Sequence, residues 1–464
     1  MARLDVTSEI KQTSAPAAGS RPTAVPGRFQ AVQDLFGKLF NGVAASPDVV
    51  LAGGVSLHRG SSPRATIILM HSGVIRELLM TGSDIGVAEA YIRGEISVDG
   101  DLESAIDALA VARRIRTPRE WFEIVRIASR ISTAPQAADR SNRADAPRRQ
   151  AARLTGRRHS RERDRAAVEY HYNVSNEFYS LWLDGNMTYS CAYFRSPSDS
   201  LDAAQLQKYD LIARKLRVGA GERVLDIGCG WGGLIRFLAR EYGAQAVGIT
   251  LSSRQAEYAR QRVAREGLEK ACAVELLDYR DLSTLGAFDK IASVGMVEHV
   301  GSGNLAAYFN SAHGVLAPGG LFLNHGIVSQ TPVPTGLRGV IARIVPARSG
   351  FIERYVFPES DLLRLDVASA AAERAGFELL DAENLRPHYQ RTLQHWVRRL
   401  EDNQTEARRI VGDETYNTWR LYMAGSAQGF GSGRLGVVQM LLAKREADGS
   451  HRAPHTRDDI YAST

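Results

Sequence analysis

Val224-Leu225-Asp226-Ile227-Gly228-Cys229-Gly230-Trp231-Gly232-Gly233 is the stretch that decides the fold. A short apolar run enters a turn crowded with glycine, and a helical pattern follows from Leu234 to Tyr242. Glycine is needed at such a turn because the chain reverses tightly and a ligand approaches the backbone closely. Outward from it, strand-like runs at Arg223 to Ile227, Gln245 to Thr250, Ala273 to Leu277, Lys290 to Val294 and Gly320 to His325 alternate with helical patterns such as Ser253 to Glu266. This alternation predicts an α/β domain with a doubly wound, mostly parallel sheet.

Gly228, Gly230 and Gly233 also fit the glycine spacing of dinucleotide binders. Such a site wants an acid about 20 residues on to hold a ribose. Gly248-Ile249-Thr250-Leu251 stands there and has none. Instead Asp226 precedes the first glycine by two residues, and this acid-Ile-Gly-Cys-Gly pattern resembles the Rossmann-like class I methyltransferases that bind S-adenosylmethionine.

The remainder of the 464 residues is organised around that domain. A hydrophobic fraction of 44% and a charged fraction of 24% are ordinary for a globular chain, and the length suits two or three domains. Residues 1–28, rich in Ala, Ser, Thr and Pro, read as a disordered tail without a secretory leader. Residues 29–131 read as a smaller α+β unit, with strands at Val49 to Ala52 and Ala65 to Leu69, a helix at Gly86 to Gly94, and a turn at Asp99-Gly100-Asp101. Residues 132–166 gather ten arginines, from Arg140 to Arg165, with few large apolar residues, and read as a linker. Its charge suits an anionic lipid surface, each basic residue contributing roughly 1 kcal/mol there, and no nucleic-acid reader motif accompanies it. Residues 167–445 form the main domain and 446–464 a C-terminal tail. Cys191, Cys229 and Cys272 are too scattered for a disulfide framework or a metal site. No apolar run reaches the ~18 residues of a membrane span. The expected location is cytoplasmic and peripheral, at the inner face of the membrane.

More specific are Tyr170-His171-Tyr172-Asn173-Val174-Ser175-Asn176-Glu177-Phe178-Tyr179 and Met187-Thr188-Tyr189-Ser190-Cys191-Ala192-Tyr193-Phe194. With Gly248 to Ser252, Asp278-Tyr279-Arg280-Asp281, Val294 to Gly301, Tyr355-Val356-Phe357-Pro358 and Arg386-Pro387-His388-Tyr389, they resemble the cyclopropane-fatty-acid and cyclopropane-mycolic-acid synthases in order over residues 168–440. Gly86 to Gly94 and Asp99 to Leu102 resemble the lipid-associated domain of the bacterial phospholipid branch. The resemblance implies methylene transfer from S-adenosylmethionine to a cis double bond of membrane phospholipid acyl chains. The implied assembly leaves room for a homodimer.

That chemistry passes through a carbocation and must lose a proton, so it needs a dry apolar channel, a face that stabilises positive charge, and a base. By resemblance the base is a bicarbonate ion, held by Glu298, His325, Tyr389, Cys191 and the backbone of Ile327. By the same resemblance S-adenosylmethionine lies across Tyr189, Ser190, Gly228, Gly230 and Gly232, with Asp226 ordering the loop and the glycines admitting the methionyl part. Thr250, Leu251 and Gln255 meet the ribose, and Asp278 and Tyr279 the adenine. Without this context Glu298 reads as a capping acid, His325 as a core histidine and Tyr389 as a packing partner of Trp396. If the usual strand order holds, the strands before Glu298 and through His325 are neighbours.

Three departures stand out: Ser426 where relatives carry a cysteine, Asn324 where they carry an apolar residue, and the divergent Thr331 to Phe351 near the expected acyl entrance. The competing readings are a fatty-acid C-methyltransferase that leaves a branch, a small-molecule methyltransferase, and a lipid-binding protein with a degenerate site.

Overall fold

The computed structural model describes residues 29–71, 73–75, 84–113, 122, 126–127, 156–172, 174–331, 350–358 and 360–461. The expected tail at 1–28, most of the arginine-rich linker, and most of the divergent 331–351 segment lie outside these.

A four-stranded sheet comes first: β1 (Asp48–Leu51), β2 (Val55–His58), β3 (Ala65–Leu69) and β4 (Ile96–Gly100), in the order β2-β1-β3-β4. Its core is closed by Val32, Leu35 and Phe36 of helix Gln30–Leu39 together with Ala90 and Tyr91 of helix Asp84–Ile92. The expected turn at Asp99-Gly100-Asp101 starts later than anticipated, since Asp99 and Gly100 close β4. β4 pairs with β3 along its whole length, and alternate residues Ile96 and Val98 are buried on that core.

The second sheet has seven strands: β5 (Arg223–Ile227), β6 (Gln245–Thr250), β7 (Cys272–Leu276), β8 (Phe288–Val294), β9 (Leu316–Ser329), β10 (Phe377–Asn384) and β11 (Leu435–Lys444). Their order is β10-β11-β9-β8-β5-β6-β7. Strands β5 to β9 pair in parallel, and β11 runs antiparallel to β9 and β10. The doubly wound, mostly parallel sheet is therefore as expected. Strand order reverses at β5, between β6 and β8, and open sheets of this kind bind ligands beyond the carboxyl ends of strands at that point. β10 and β11 complete the sheet and had no counterpart in the sequence reading.

Two long helices, Arg386–Asp402 and Gln404–Gly431, the latter broken at Gly412, join the sheets. One of their faces carries Trp396 and Trp419 into an aromatic core with Phe178, Tyr179 and Trp182. Ala424 of the second helix packs into the core of the first sheet.

Both expected boundaries shift. Helix Arg161–Tyr172 starts inside the expected linker, anchored by ion pairs from Arg161 to Asp281 and from Asp164 to Arg280. The expected C-terminal tail packs down: Ile460 is 2% exposed, and Arg457 and Arg217 pair with Asp381 and Asp459.

Candidate active site

A cavity opens at the carboxyl ends of β5, β6 and β8, where the strand order reverses. The backbone N–H groups of Gly228 and Cys229 both donate to Ile249 O, at 3.0 and 2.9 Å, which ties the glycine loop to β6. Gly228 and Gly230 adopt positive φ, 85° and 54°, and expose backbone to the cavity. Of the residues expected to meet S-adenosylmethionine, Tyr189, Ser190, Asp226, Gly228, Gly230, Thr250, Leu251, Gln255 and Tyr279 all line it. Thr250 donates its hydroxyl to Gln255 Oε1 at 2.9 Å, pre-forming a polar wall on the β6 side.

Gly232 and Asp278 stand behind the lining. A side chain at Gly232 would come within 3.0 Å of Ala259 Cβ, so this glycine allows helix Ser253–Arg265 to approach. Asp278 caps the turn that follows it by accepting from Arg280 N at 3.0 Å, and it also pairs with the Arg280 side chain. Arg280 in turn holds Asp164, so helix Arg161–Tyr172 covers the cavity beside Tyr279.

The expected anion site lies along β8 and β9, which are neighbours as anticipated, with Val294 opposite His325. His325 sits inside β9 rather than at its end, because β11 covers the strand and extends it to Ser329. Gln439 of β11 is directly opposite and donates from Nε2 to His325 Nδ1 over 3.2 Å. That contact assigns the proton to Nε2, a buried atom with no hydrogen-bond partner among the described residues. Burial, helped by Lys208 and Lys215, pulls His325 down to about 3, so its ring is neutral.

Glu298, 6% exposed, follows β8 in the short helix Val297–Val300. Its Oε1 accepts from Ile327 N at 2.6 Å, and its Oε2 is buried and without a partner among the described residues. Burial raises its carboxyl to about 7 against the two backbone hydrogen bonds it accepts. Two expected donors are thus occupied. The Ile327 N–H is taken by Glu298, and Cys191, fully buried, directs its Sγ toward Ala192 O at 3.2 Å and Leu385 O at 3.8 Å. Burial pushes the Cys191 thiol up, which suits a packed residue and not a nucleophile. Tyr389 is buried between Phe430 and Trp396, with ring centroids 4.7 and 6.1 Å away; it packs on Trp396 and lies near Glu298 as well.

Tyr172, Tyr389 and Tyr422 stand near Glu298, within a larger group of packed aromatic rings. Tyr189 lies 5.2 Å from Trp396 and 5.7 Å from Tyr179, and its hydroxyl donates to Tyr422 at 3.4 Å. Tyr172 stands 6.0 Å from Trp231.

Tyr422, Gln439 and Lys208 escaped the sequence reading. The signal for Lys208 was present: Leu201, Ala204, Lys208, Leu211 and Lys215 fall at helical spacing on the buried face of helix Leu201–Leu216, so two lysines occupy apolar positions. Tyr422 and Gln439 carried no such mark. Asn324, the second departure, accepts from Tyr308 at 2.9 Å, which explains a polar residue there. No cluster of metal-ligating side chains occurs among the described residues.

Residues 159–440 match the mycolic acid cyclopropane synthetase family. A probable fatty acid methyltransferase of Pseudomonas putida is 42% identical over 403 residues, 87% of this chain and 93% of its own. A probable fatty acid methyltransferase of Mycobacterium tuberculosis is 36% identical over 80% of this chain and 85% of its own. The structure of the cyclopropane synthase MmaA2 from Mycobacterium tuberculosis, 32% identical, superposes with a TM-score of 0.55 over 60% of this chain and 98% of that one. The mycolic acid cyclopropane synthase CmaA1 complexed with SAH and CTAB gives the same figures. The matched segment contains the glycine loop, both strands of the expected anion site and the two long helices, and on that footing the chain is an S-adenosylmethionine-dependent methyltransferase belonging to the mycolic acid cyclopropane synthetase family.

Proposed function

We propose that the enzyme is a cyclopropane-fatty-acid synthase acting on the cis double bonds of unsaturated phospholipid acyl chains at a membrane surface. The observation that carries this reading is the pair of buried polar atoms on neighbouring elements, Glu298 Oε2 and His325 Nε2, that have no partner among the described residues, Glu298 standing near Tyr172, Tyr389 and Tyr422. A buried polar atom without a partner is costly and asks for an occupant.

S-adenosylmethionine supplies the electrophilic methyl group. Its transfer to one alkene carbon leaves positive charge on the other; a proton then leaves the new methyl group and the remaining C–C bond closes the ring. Tyr172, Tyr189, Tyr389 and Tyr422 exclude water from that charge and present electron-rich faces to it. A bicarbonate ion supplies a base, and the groups left to hold it are the His325 Nε2–H, the Tyr389 hydroxyl and Glu298. With its carboxyl near 7, Glu298 can share one proton with an adjacent anion. Cys191 and Ile327 shape the site without donating to the ion.

The four-stranded unit supports a phospholipid over a mycolic acid substrate. The two fatty acid methyltransferases align over at least 80% of this chain, whereas the cyclopropane mycolic acid synthases align over 60%. Exposed Phe122, 73% accessible, and the arginine-rich run later in the sequence offer apolar and cationic groups for an anionic membrane. No helix among the described residues is long and apolar enough to cross a membrane.

A second reading, a methyl or methylene branch in place of the ring, draws on the name of the Pseudomonas putida relative. Incubation with vesicles of cis-monounsaturated phospholipid, S-adenosylmethionine and bicarbonate tests the first. It predicts fatty esters one methylene heavier, formed faster as bicarbonate rises. A product that takes up hydrogen under mild catalysis would instead establish the branch.

A further inference from the structure

One short helix of the main domain is held by its neighbours and not by itself. Phe351–Tyr355 has five residues, none of them buried, and Gly350 before it offers no side-chain cap. A helix that short does not persist on its own hydrogen bonds. Two anchors fix it. Glu89, on helix Asp84–Ile92 of the four-stranded unit, accepts from Tyr355 Oη at 2.8 Å and pairs with Arg354 at 3.1 Å. Val356 O accepts from His171 Nδ1 at 2.8 Å. The Arg354 side chain is 46% exposed, so that ion pair contributes little, and the Tyr355 hydrogen bond is the stronger tie. Burial and then Glu89 push the Tyr355 hydroxyl up to about 12, so it stays a donor at neutral pH.

The residues that follow reach the reaction site. Phe357 stacks on His171 at 3.9 Å and stands edge-on to Tyr422, with ring centres 5.5 Å apart. Pro358 lines the cofactor cavity, and Asp361 N donates to the backbone oxygen of Glu298 at 3.0 Å. Phe357 is thus flanked in the chain by a tie to the four-stranded unit on one side and by contacts with the cavity and Glu298 on the other. We propose that Glu89 is a positioning residue for methyl transfer. By holding Tyr355 it sets Phe357 beside Tyr422, so the four-stranded unit helps to build the acceptor side of the site. That Phe357 faces an acyl chain rests on the lipid reaction proposed above; the link from Glu89 to Phe357 does not.

Hydrogen–deuterium exchange of the full chain, read on the peptide spanning residues 351–358, tests the link without substrate. Glu89→Leu speeds its exchange about 10-fold, the worth of one charge-assisted hydrogen bond, and leaves the glycine loop unchanged. Glu89→Gln keeps an oxygen for Tyr355 and stays close to the wild type. Turnover on vesicles of cis-monounsaturated phospholipid tests the consequence. Glu89→Leu and Tyr355→Phe each lower kcat about 10-fold, and the double variant falls no further. Affinity for S-adenosylhomocysteine, measured by titration, is unchanged in all three. Unchanged exchange in Glu89→Leu, or exchange in Glu89→Gln as fast as in Glu89→Leu, overturns the inference. So do additive losses in kcat, or faster exchange with full turnover. Should Glu89→Leu fail to fold, Tyr355→Phe breaks the same bond and is read in the same way. A wild-type chain that modifies no lipid, with the peptide loosened as stated in the variants, removes the proposed reaction and leaves the hold of Glu89 on Phe357 standing.

Discussion

Glu298 is an acid held where water cannot reach it, and its one satisfied oxygen rests on the Ile327 N–H. Burial lifts its folded value to about 7 from an ordinary 4.5. The sign of the linkage follows. Below the unfolded value both states are protonated and burial costs little. As pH rises through 4.5 to 7 the unfolded chain releases its proton first, and the folded state loses stability, on the order of 3 kcal/mol once both are ionised. Glu298→Gln therefore raises the melting temperature at pH 8.5 and leaves it unchanged near pH 4.5; a uniform shift at both pH values would contradict the buried-acid account. The same variant lowers turnover by about 10²-fold or more, the scale of a lost acid–base group. His325→Asn is expected to lower turnover as well, with S-adenosylhomocysteine affinity unchanged in a titration. At this scale the sequence was legible wherever a motif put a polar residue just beyond a strand, as with Glu298. It was not legible where function depends on which partner a donor already has. Ile327 and Cys191 sit beside the right groups, but their donors are engaged, and only three-dimensional pairing reveals it.

Among the elements, the glycine loop is the most constrained. Gly232 combines a φ of 78° with an approach of 3.0 Å between its added Cβ and that of Ala259. Gly232→Ala is expected to destabilise the fold by about 1–3 kcal/mol, from the left-handed backbone and the crowded helix together. Thermal melts check this, and a neutral outcome would mean helix Ser253–Arg265 can retreat. The parallel strands β5 to β9 were legible because alternating strands and helices carry distinct periods. β11, Leu-Gly-Val-Val-Gln-Met-Leu-Leu-Ala-Lys, was not: it is buried on both faces, so its run lacks a period that separates strand from helix. With β11 went Gln439, the residue that fixes the His325 tautomer.

Across the whole molecule, the first sheet is clamped to the helices that bear Tyr389 and Tyr422. Arg420 is the centre of that clamp: it reaches Tyr91 Oη at 2.8 Å, Val98 O at 3.1 Å and Glu401 at 2.7 Å. Glu103 accepts from Gln390 and Gln394 at 2.9 and 2.8 Å, on the same helix as Tyr389 and within about a turn and a half of it. Arg420→Met strands these partners and is expected to destabilise by about 3 kcal/mol, with limited proteolysis cutting the first unit before the main domain. Simultaneous cleavage of both would argue that the clamp lies elsewhere. The links to the first sheet's unit were not legible in the sequence, since they join residues more than 280 positions apart. The central claim, ring closure on a lipid chain, is tested most directly with S-adenosylmethionine carrying a fully deuterated methyl group and vesicles of cis-monounsaturated phospholipid. The account predicts a fatty ester that keeps two of the three deuterium atoms and resists mild hydrogenation. An ester that keeps all three, or that takes up hydrogen, would contradict it.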